Sequence, residues 1–425
     1  MSLTNSLYIG ISGLIAHGEA ISVVGDNIAN TSTFGFKRSR ANFADVLGGE
    51  LGAQRLGGGV RLGGTQTMFD QGAITQTGNP LDVAISGPGM FVVKGSSGGH
   101  EGQFYTRDGR FKLDNQGFVV DARGLHVQGF AINTAGTRAT SAGDLPLGVR
   151  QSPAVATSTA NMTLNLDATT VANAGFDSSN PNTTSDYATS TTVFDSLGTA
   201  HHVEVYFRAQ GNNAWEWHAM VDDGELGGTA GNQTEIGSGQ LVFDASGRLD
   251  QQSGGATNVS FTNATANQAL TFNFGDDIAS GGTGLAGSTG FAGASSVNAV
   301  DVDGRGFGTL TDVVVNDDGT IEGVFDNGDR LDLAQLAIAD FASNEGLERA
   351  GDGLYFETAA SGQALVDVPG NGGRGSVISG ALEGSNVDLG TELVTLIAFQ
   401  RAFQANAKTV TTADEMLAEV SNLKR

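Results

Sequence analysis

Apolar residues fall on a seven-residue repeat at both ends of the chain and on a two-residue alternation between them. Near the start, Leu7, Leu14, Ile21 and Ile28 recur at that period, with Ile11, Gly18 and Gly25 each four residues after one of the first three. Near the end, Leu389, Leu396, Phe403, Val410 and Leu417 keep the same period, joined by Leu393 and Ala407. Such spacing predicts two helices with apolar seams. Either each helix is amphipathic and packs on the protein's own core, or the two form a coiled coil. The stretch ANTSTFGFK, from Ala29 to Lys37, ends the first seam and holds the first lysine of the chain. The side chains of Asn30, Thr31 and Ser32 compete for local backbone groups, and Gly35 permits a turn between Phe34 and Phe36. The plainer alternative is an ordinary helix stop with two core aromatics.

Between the ends, LDVAISGPGMFVV (Leu81 to Val93) and GRFKLDNQGFVVDARGLHVQGF (Gly109 to Phe130) read as strands punctuated by glycine and by Asp/Asn turn signals. A further block, TTVFDSLGTAHHVEVYF (Thr191 to Phe207), AWEWHAMV (Ala214 to Val221) and QLVFDASGRLD (Gln240 to Asp250), predicts hairpins of a separate β domain. Its flanks, 151–190 and 251–300, are rich in Ser, Thr, Ala, Asn and Gly and read as surface loops or edge segments. Strands resume from Thr309 to Phe341, with NDDG and DNGD as hairpin turns. The middle domain thus reads as an insertion into a first β domain.

Composition narrows the class. A chain of 425 residues with 39% hydrophobic content supports several domains, each with a core. Its 64 glycines against 6 prolines favour tight turns and short strands. A net charge of −24 repels phosphate backbones and anionic lipid, so neither nucleic acid nor membrane insertion is expected. Without cysteine there is no disulfide framework and no thiolate chemistry. No stretch approaches the roughly 18 uninterrupted apolar residues of a membrane span. The first residues lack the basic region of a secretory signal peptide, so export, if it occurs, takes another route.

The motifs that could carry catalysis fail on context. GSSGG (Gly95 to Gly99) fits G-x-S-x-G but is not followed by a helix. GTGLAG (Gly282 to Gly287) fits G-x-G-x-x-G with no helix to present its N-terminus to a phosphate. DVDGRGFGTLTD (Asp301 to Asp312) places acids as in a calcium loop, but Arg305 takes a ligand position. His201 and His202 are neighbours on an expected strand and point to opposite faces, so they cannot chelate together. No catalytic residue, metal site or cofactor is expected.

The segments SLYIGISGLIAHGEAISVVGDNIANTSTFGFKRSRANF, GNPLDVAISGPGMFVV, YTRDGRFKLDNQGFVVDARGLHVQGF and GALEGSNVDLGTELVTLIAFQRAFQANAKTVTTADEMLAEV resemble the bacterial flagellar axial proteins, the rod and hook family. The likeness covers both termini and the first β domain. The VFDSLGT block and the chain length place it nearer the hook proteins than the distal rod protein. The resemblance implies a mainly β fold with α-helical termini that pair as a coiled coil, with two or more β-rich domains between them, one inserted in the other. Expected divisions are a terminal core domain at 1–30 and 385–425, linkers at 31–75 and 365–384, a first β domain at 76–150 and 306–364, and an inserted outer β domain at 151–305.

The function implied is a structural subunit of the hook, self-polymerising into a flexible tubular universal joint that carries torque from rod to filament and encloses the export channel. The partners implied are the chain itself as a helical homopolymer, the distal rod protein, the hook cap, the hook–filament junction protein and the flagellar type III export apparatus. The implied location is the extracellular hook of the flagellum, reached without a cleaved signal peptide. On this reading the assembly interface is Leu7, Ile11, Leu14, Ile21, Ile28, Leu389, Leu393, Leu396, Phe403, Val410 and Leu417, and the linker turn is Asn30, Thr31, Phe34, Gly35 and Phe36. Chemistry agrees: glycines at 10, 13, 18 and 25 each cost a helix about 1 kcal/mol, so an isolated N-terminal helix is marginal and waits for partners. The alternatives are the distal rod protein, or a secreted β-rich adhesin or surface-layer protein, which explains the acidity but not the paired terminal repeats.

Overall fold

The computed structural model describes residues 3–51, 54–133, 135–147, 151–173 and 175–422. It is mainly β, with α-helices α1 (Leu3–Ala29), the single-turn α2 (Pro181–Thr184) and α3 (Leu389–Asn422). The chain divides into two compact units: one holds 1–149, 312–324 and 330–425, the other 150–311 and 325–329.

In the first unit α1 and α3 pack antiparallel. Val24 and Glu392 share a cleft, the His17 and Phe399 rings lie 5.9 Å apart, and Gly10 meets Val410. The buried stripe of α1 is Gly10, Gly13, Ala16, Ala20, Val24 and Asn27, a helical period of small residues. Small side chains let the two backbones approach closely, so they hold the contact while Leu7, Leu14, Ile21 and Ile28 lie half-buried beside it. On α3 the facing period includes Glu392, Phe399, Asn406 and Ala413, interleaved with Leu396, Val410 and Leu417. α3 begins where the Asp388 carboxylate accepts from the Thr391 amide at 2.7 Å, an N-cap that satisfies one open donor of the first turn.

Residues 39–67, expected as linker, instead hold strands β1 (Ser39–Leu51) and β2 (Gln54–Thr67), an antiparallel ribbon with register shifts at Asn42/Phe43 and Asp45/Leu47. The ribbon lies along α1. The Val60 amide donates to the Ser12 hydroxyl at 3.2 Å, and Phe43 fits between the His17 and Phe399 rings at 5.2 and 5.8 Å. Beyond it, β3 (Ile74–Gln76) pairs antiparallel with Ala381–Glu383, and β4 (Val83–Ser86) with Ser376–Ser379. Both passages of the chain between the helices and the β body are thus strand-paired to each other. In that body β5 (Met90–Ser97) and β6 (His100–Thr106) form a hairpin, and Met90, Val92, Tyr105, Phe341 and Tyr355 make its core.

The second unit has a five-stranded antiparallel meander, Tyr187–Phe194, Ala200–Gly211, Ala214–Asp222, Gln233–Phe243 and Leu249–Ser253. A four-stranded sheet orders Ala256–Val259, Gln268–Asn273, Thr159–Asn165 and Ser296–Val302. The two sheets bury one core that includes Trp217, Phe207, Phe272 and Phe274. Here the reading of the flanks as loops or edges is corrected. Thr159–Asn165 is a central strand, and Ala160, Met162, Leu164 and Leu166 are each 0% exposed. Its alternation of apolar and polar positions is that of a strand with one face in the core.

Candidate assembly surface and its junction

The surface of the α1–α3 pair combines packed and uncovered apolar positions. On α1, Tyr8, Ile11 and Ile15 are exposed; on α3, Leu389, Leu393, Val394, Ile397, Phe403, Met416 and Val420 are. Tyr8 and Val394, at 68% each, stand almost free of the chain's own contacts. Leu7, Leu14, Ile21, Ile28, Leu396, Val410 and Leu417 lie at the border of the helix pair, neither buried nor free. The expected interface residues therefore divide into a half-buried row and a more exposed row that includes Ile11, Leu389, Leu393 and Phe403. By length and mean hydropathy, 1.5, Asn5–Ala29 is apolar enough to cross a membrane, because its interruptions are mostly small residues rather than charges.

At the C-terminal end of α1 the turn is fixed by local hydrogen bonds. The Asn30 side chain donates to the Asp26 carbonyl at 2.9 Å and the Thr31 hydroxyl to the Ile28 carbonyl at 2.7 Å. Gly35 takes φ +67°, and a Cβ there would lie 2.6 Å from the Asp108 nitrogen. Both the left-handed backbone and the close approach require glycine. Phe36 is buried with the Arg349 guanidinium 5.0 Å over its ring, and Phe34 sits under Arg110 at 5.5 Å.

The next residue, Lys37, is fully buried, which its place in the sequence did not foretell. Its ammonium donates to Glu383 Oε1 at 2.6 Å and to the Asp70 carbonyl at 2.8 Å. Burial pushes its pKa down, against the opposing pull of Glu383. Glu383 Oε1 also accepts from the Gly72 amide at 2.8 Å, and Oε2 accepts from Arg107 Nη1 at 3.0 Å. Two amide side chains continue the junction. The Asn27 side chain accepts from the Ser39 amide and donates to its carbonyl, both at 2.8 Å. The Asn386 side chain accepts from the Arg38 amide at 2.7 Å and donates to the Met68 carbonyl at 2.8 Å.

The motifs set aside on sequence have structural employment. Gly95–Gly99 closes the hairpin of β5 and β6, with Gly98 and Gly99 at φ +60° and +81°. Asp303 accepts from the Ser158 and Thr159 amides, and Arg305 pairs with Asp329 at 3.1 Å. His201 is buried between Asp195 and Glu225 and stacks on Phe261, whereas His202 is exposed on the other face of the strand. Among the described residues no group of three or more His, Cys, Asp or Glu side chains is placed to hold a metal ion.

Four family models match the chain in order: a flagella basal body rod protein model at 7–37, the D1 domain of flagellar hook proteins FlgE/F/G at 84–172, the flagellar basal body protein FlaE D2 domain at 165–305 and the C-terminal model of the basal body rod FlgEFG proteins at 378–423. The flagellar hook protein FlgE of Salmonella typhimurium is 36% identical over 421 residues, covering 97% of this chain and 98% of that one. That of Treponema pallidum is 35% identical over 474 residues, with both chains covered fully. The crystal structure of Helicobacter pylori FlgE2 aligns at a TM-score of 0.44 and 14% identity, covering 71% of this chain and 98% of that one.

Proposed function

The chain belongs to the flagellar hook protein family and is a structural subunit of the hook, and from that premise we propose that it polymerises with itself into a flexible tube through its terminal helices. The observation that carries this is the row of uncovered apolar residues on the α1–α3 pair, above all Tyr8, Ile15, Val394 and Ile397. Each large apolar side chain moved from water into a neighbour's helix pair contributes about 1.5–3 kcal/mol. Repeated over several residues and several neighbours, this is enough to order helices that are marginal in isolation. The net charge of −24 favours other copies over anionic lipid as what covers this face.

On this reading the tube transmits torque from rod to filament and its bore is the export channel. The distal rod protein, the hook cap, the hook–filament junction protein and the type III export apparatus are its successive partners, and the chain leaves the cell without cleavage of a signal peptide. It carries no catalytic role. The Gly, Ser and Thr content of 150–311 suits hydrated contacts between neighbouring copies that slide as the tube bends. Electron microscopy of the purified chain tests the proposal: curved tubes of one diameter are expected, and monomers or flat sheets refute it. A strain lacking the gene is expected to keep its rod and lose its hook. Loss of the distal rod assigns the chain to the rod instead.

A further inference from the structure

We propose that Glu383 is the positioning residue of assembly, a buried carboxylate that locks both passages of the chain onto the β body and so sets the direction in which α1 and α3 leave it. The inference rests on the self-polymerising reading and adds to it the group that orients the polymerising helices. Glu383 is 1% exposed and joins its own strand to three other segments. Its backbone carbonyl accepts from the Gly35 amide at 2.8 Å, in the turn that leaves α1. Its side chain holds Lys37, two residues on in the same turn and ahead of β1, the Gly72 amide ahead of β3, and Arg107 at the end of β6. Arg107 in turn donates to the Gly87 carbonyl at 2.7 Å, which fixes the guanidinium to the body.

The charge arrangement makes this more than packing. Two cations, Lys37 and Arg107, share one carboxylate, and all three are nearly excluded from water, with side chains 0%, 6% and 0% exposed for Lys37, Arg107 and Glu383. Remove the carboxylate and two desolvated like charges face each other across a closed space, which is relieved by opening the junction or by loss of the Lys37 proton, and either way the Lys37 and Gly72 bonds to Glu383 are gone. Asn27 and Asn386 bind backbone amides and carbonyls, and Asn27 also donates to Glu392 at 3.3 Å, but neither joins two cations. Glu383 is the carboxylate that pairs with both Lys37 and Arg107, so the closed geometry hinges on it, the property a subunit needs if many copies are to present their helices at one angle.

The test compares full-length Glu383→Gln, Lys37→Met, the double variant and Lys37→Arg with the parent chain. Readouts are hydrogen exchange at the Gly35 and Gly72 amides in the monomer, near-ultraviolet circular dichroism, and the helical rise and twist of tubes in cryo-electron microscopy. Expected for Glu383→Gln and Lys37→Met alike is at least tenfold faster exchange at both amides, an unchanged aromatic signal, and sparse tubes or tubes of altered rise. The double variant is expected to be no worse than either single, because both remove one shared element, and Lys37→Arg to restore parental tubes. Parental exchange and parental tubes from Glu383→Gln overturn the proposal, as do additive defects in the double variant. If Glu383→Gln loses its aromatic signal, Lys37→Met decides alone: it leaves Glu383 paired with Arg107, and parental tubes from it refute the lock. A parent chain that forms no tubes refutes self-polymerisation instead, and the amide exchange still reads the lock.

Discussion

A Cβ placed on Gly13 would stand 2.6 Å from Oδ1 of Asn406, so the two helices meet at a point where any side chain must displace the facing amide. At Gly10, one helical turn earlier, the obstacle is a Val410 methyl at 2.8 Å. Leucine at either position forces the pair apart, an overpacking cost of about 1–3 kcal/mol. Gly25, with nothing within 4 Å, is the control, and Gly25→Ala gains up to about 1 kcal/mol of helix propensity. Gly10→Leu and Gly13→Leu are expected to abolish tube formation while Gly25→Ala retains it, as scored by sedimentation of polymer.

The double change Leu396→Asp, Phe403→Asp tests whether assembly and ordering of the ends are one event. It removes about 3–6 kcal/mol of apolar burial and places carboxylates in a seam that loses water on assembly. A soluble monomer with parental β-type circular dichroism and no tubes is the expected product. Loss of the β signal would return α3 to the role of a core helix of the chain's own body.

Gly35→Ala meets two obstacles at once, a φ of +67° and the Asp108 backbone nitrogen at 2.6 Å. Backbone atoms cannot move aside as a side-chain end does, so the turn must rearrange, at a cost of about 1–3 kcal/mol or more. The expected result is a folded β body, seen in an unchanged near-ultraviolet spectrum, with loss of polymer.

Much of this was readable from spacing, and what was not has identifiable causes. Leucine and isoleucine announce a helical seam, and they marked α1 and α3 correctly as helices. Glycine and alanine carry no hydrophobic signal, so the stripe from Gly10 to Ala20 that brings the helices together passed unseen. The ribbon of β1 and β2 hid for the same reason: GGGVRLGG has too few side chains for alternation to register. Thr159–Asn165 does carry its signal, in Met162 and Leu164, with Leu166 just beyond, but it is diluted by the Ser, Thr and Ala around it. In the sequence Lys37 stands out only as the first lysine, since nothing local distinguishes a buried lysine whose partner lies hundreds of residues away. The opposite facing of His201 and His202, by contrast, needs only the period of a strand, and one is buried and the other exposed.

The N-cap of α3 gives the assembly surface an acid limit. Hydrogen bonds from the amide and side chain of Thr391 hold the Asp388 pKa below its ordinary value of 3.8. A lowered folded value means that the stabilisation is complete above the ordinary pKa and is lost as pH falls through the folded one. Helix signal from the first turn of α3 is expected to hold to about pH 4 and fade below it, and Asp388→Ala is expected to show the same fraying at neutral pH. The Thr391 amide shift in a pH titration reports it directly.

Removing 151–305 takes out most of the second unit, whose core residues, from Trp217 to Phe274, lie within that range. Tubes are expected to form from the shortened chain with an altered bending stiffness, measured from thermal curvature fluctuations in images. Failure to polymerise would show that assembly needs this unit as well as the helices.

The bond between Lys37 and Glu383 closes a loop of 346 positions. A chain emerging N-terminus first can fold its β hairpins as they appear, because their partners are close in sequence. The closed junction cannot form until residue 383 has arrived, whatever the order in which the body strands pair. Maturation of the subunit is therefore timed by the last tenth of the chain. Any copy truncated upstream of that point has no closed junction to offer its neighbours.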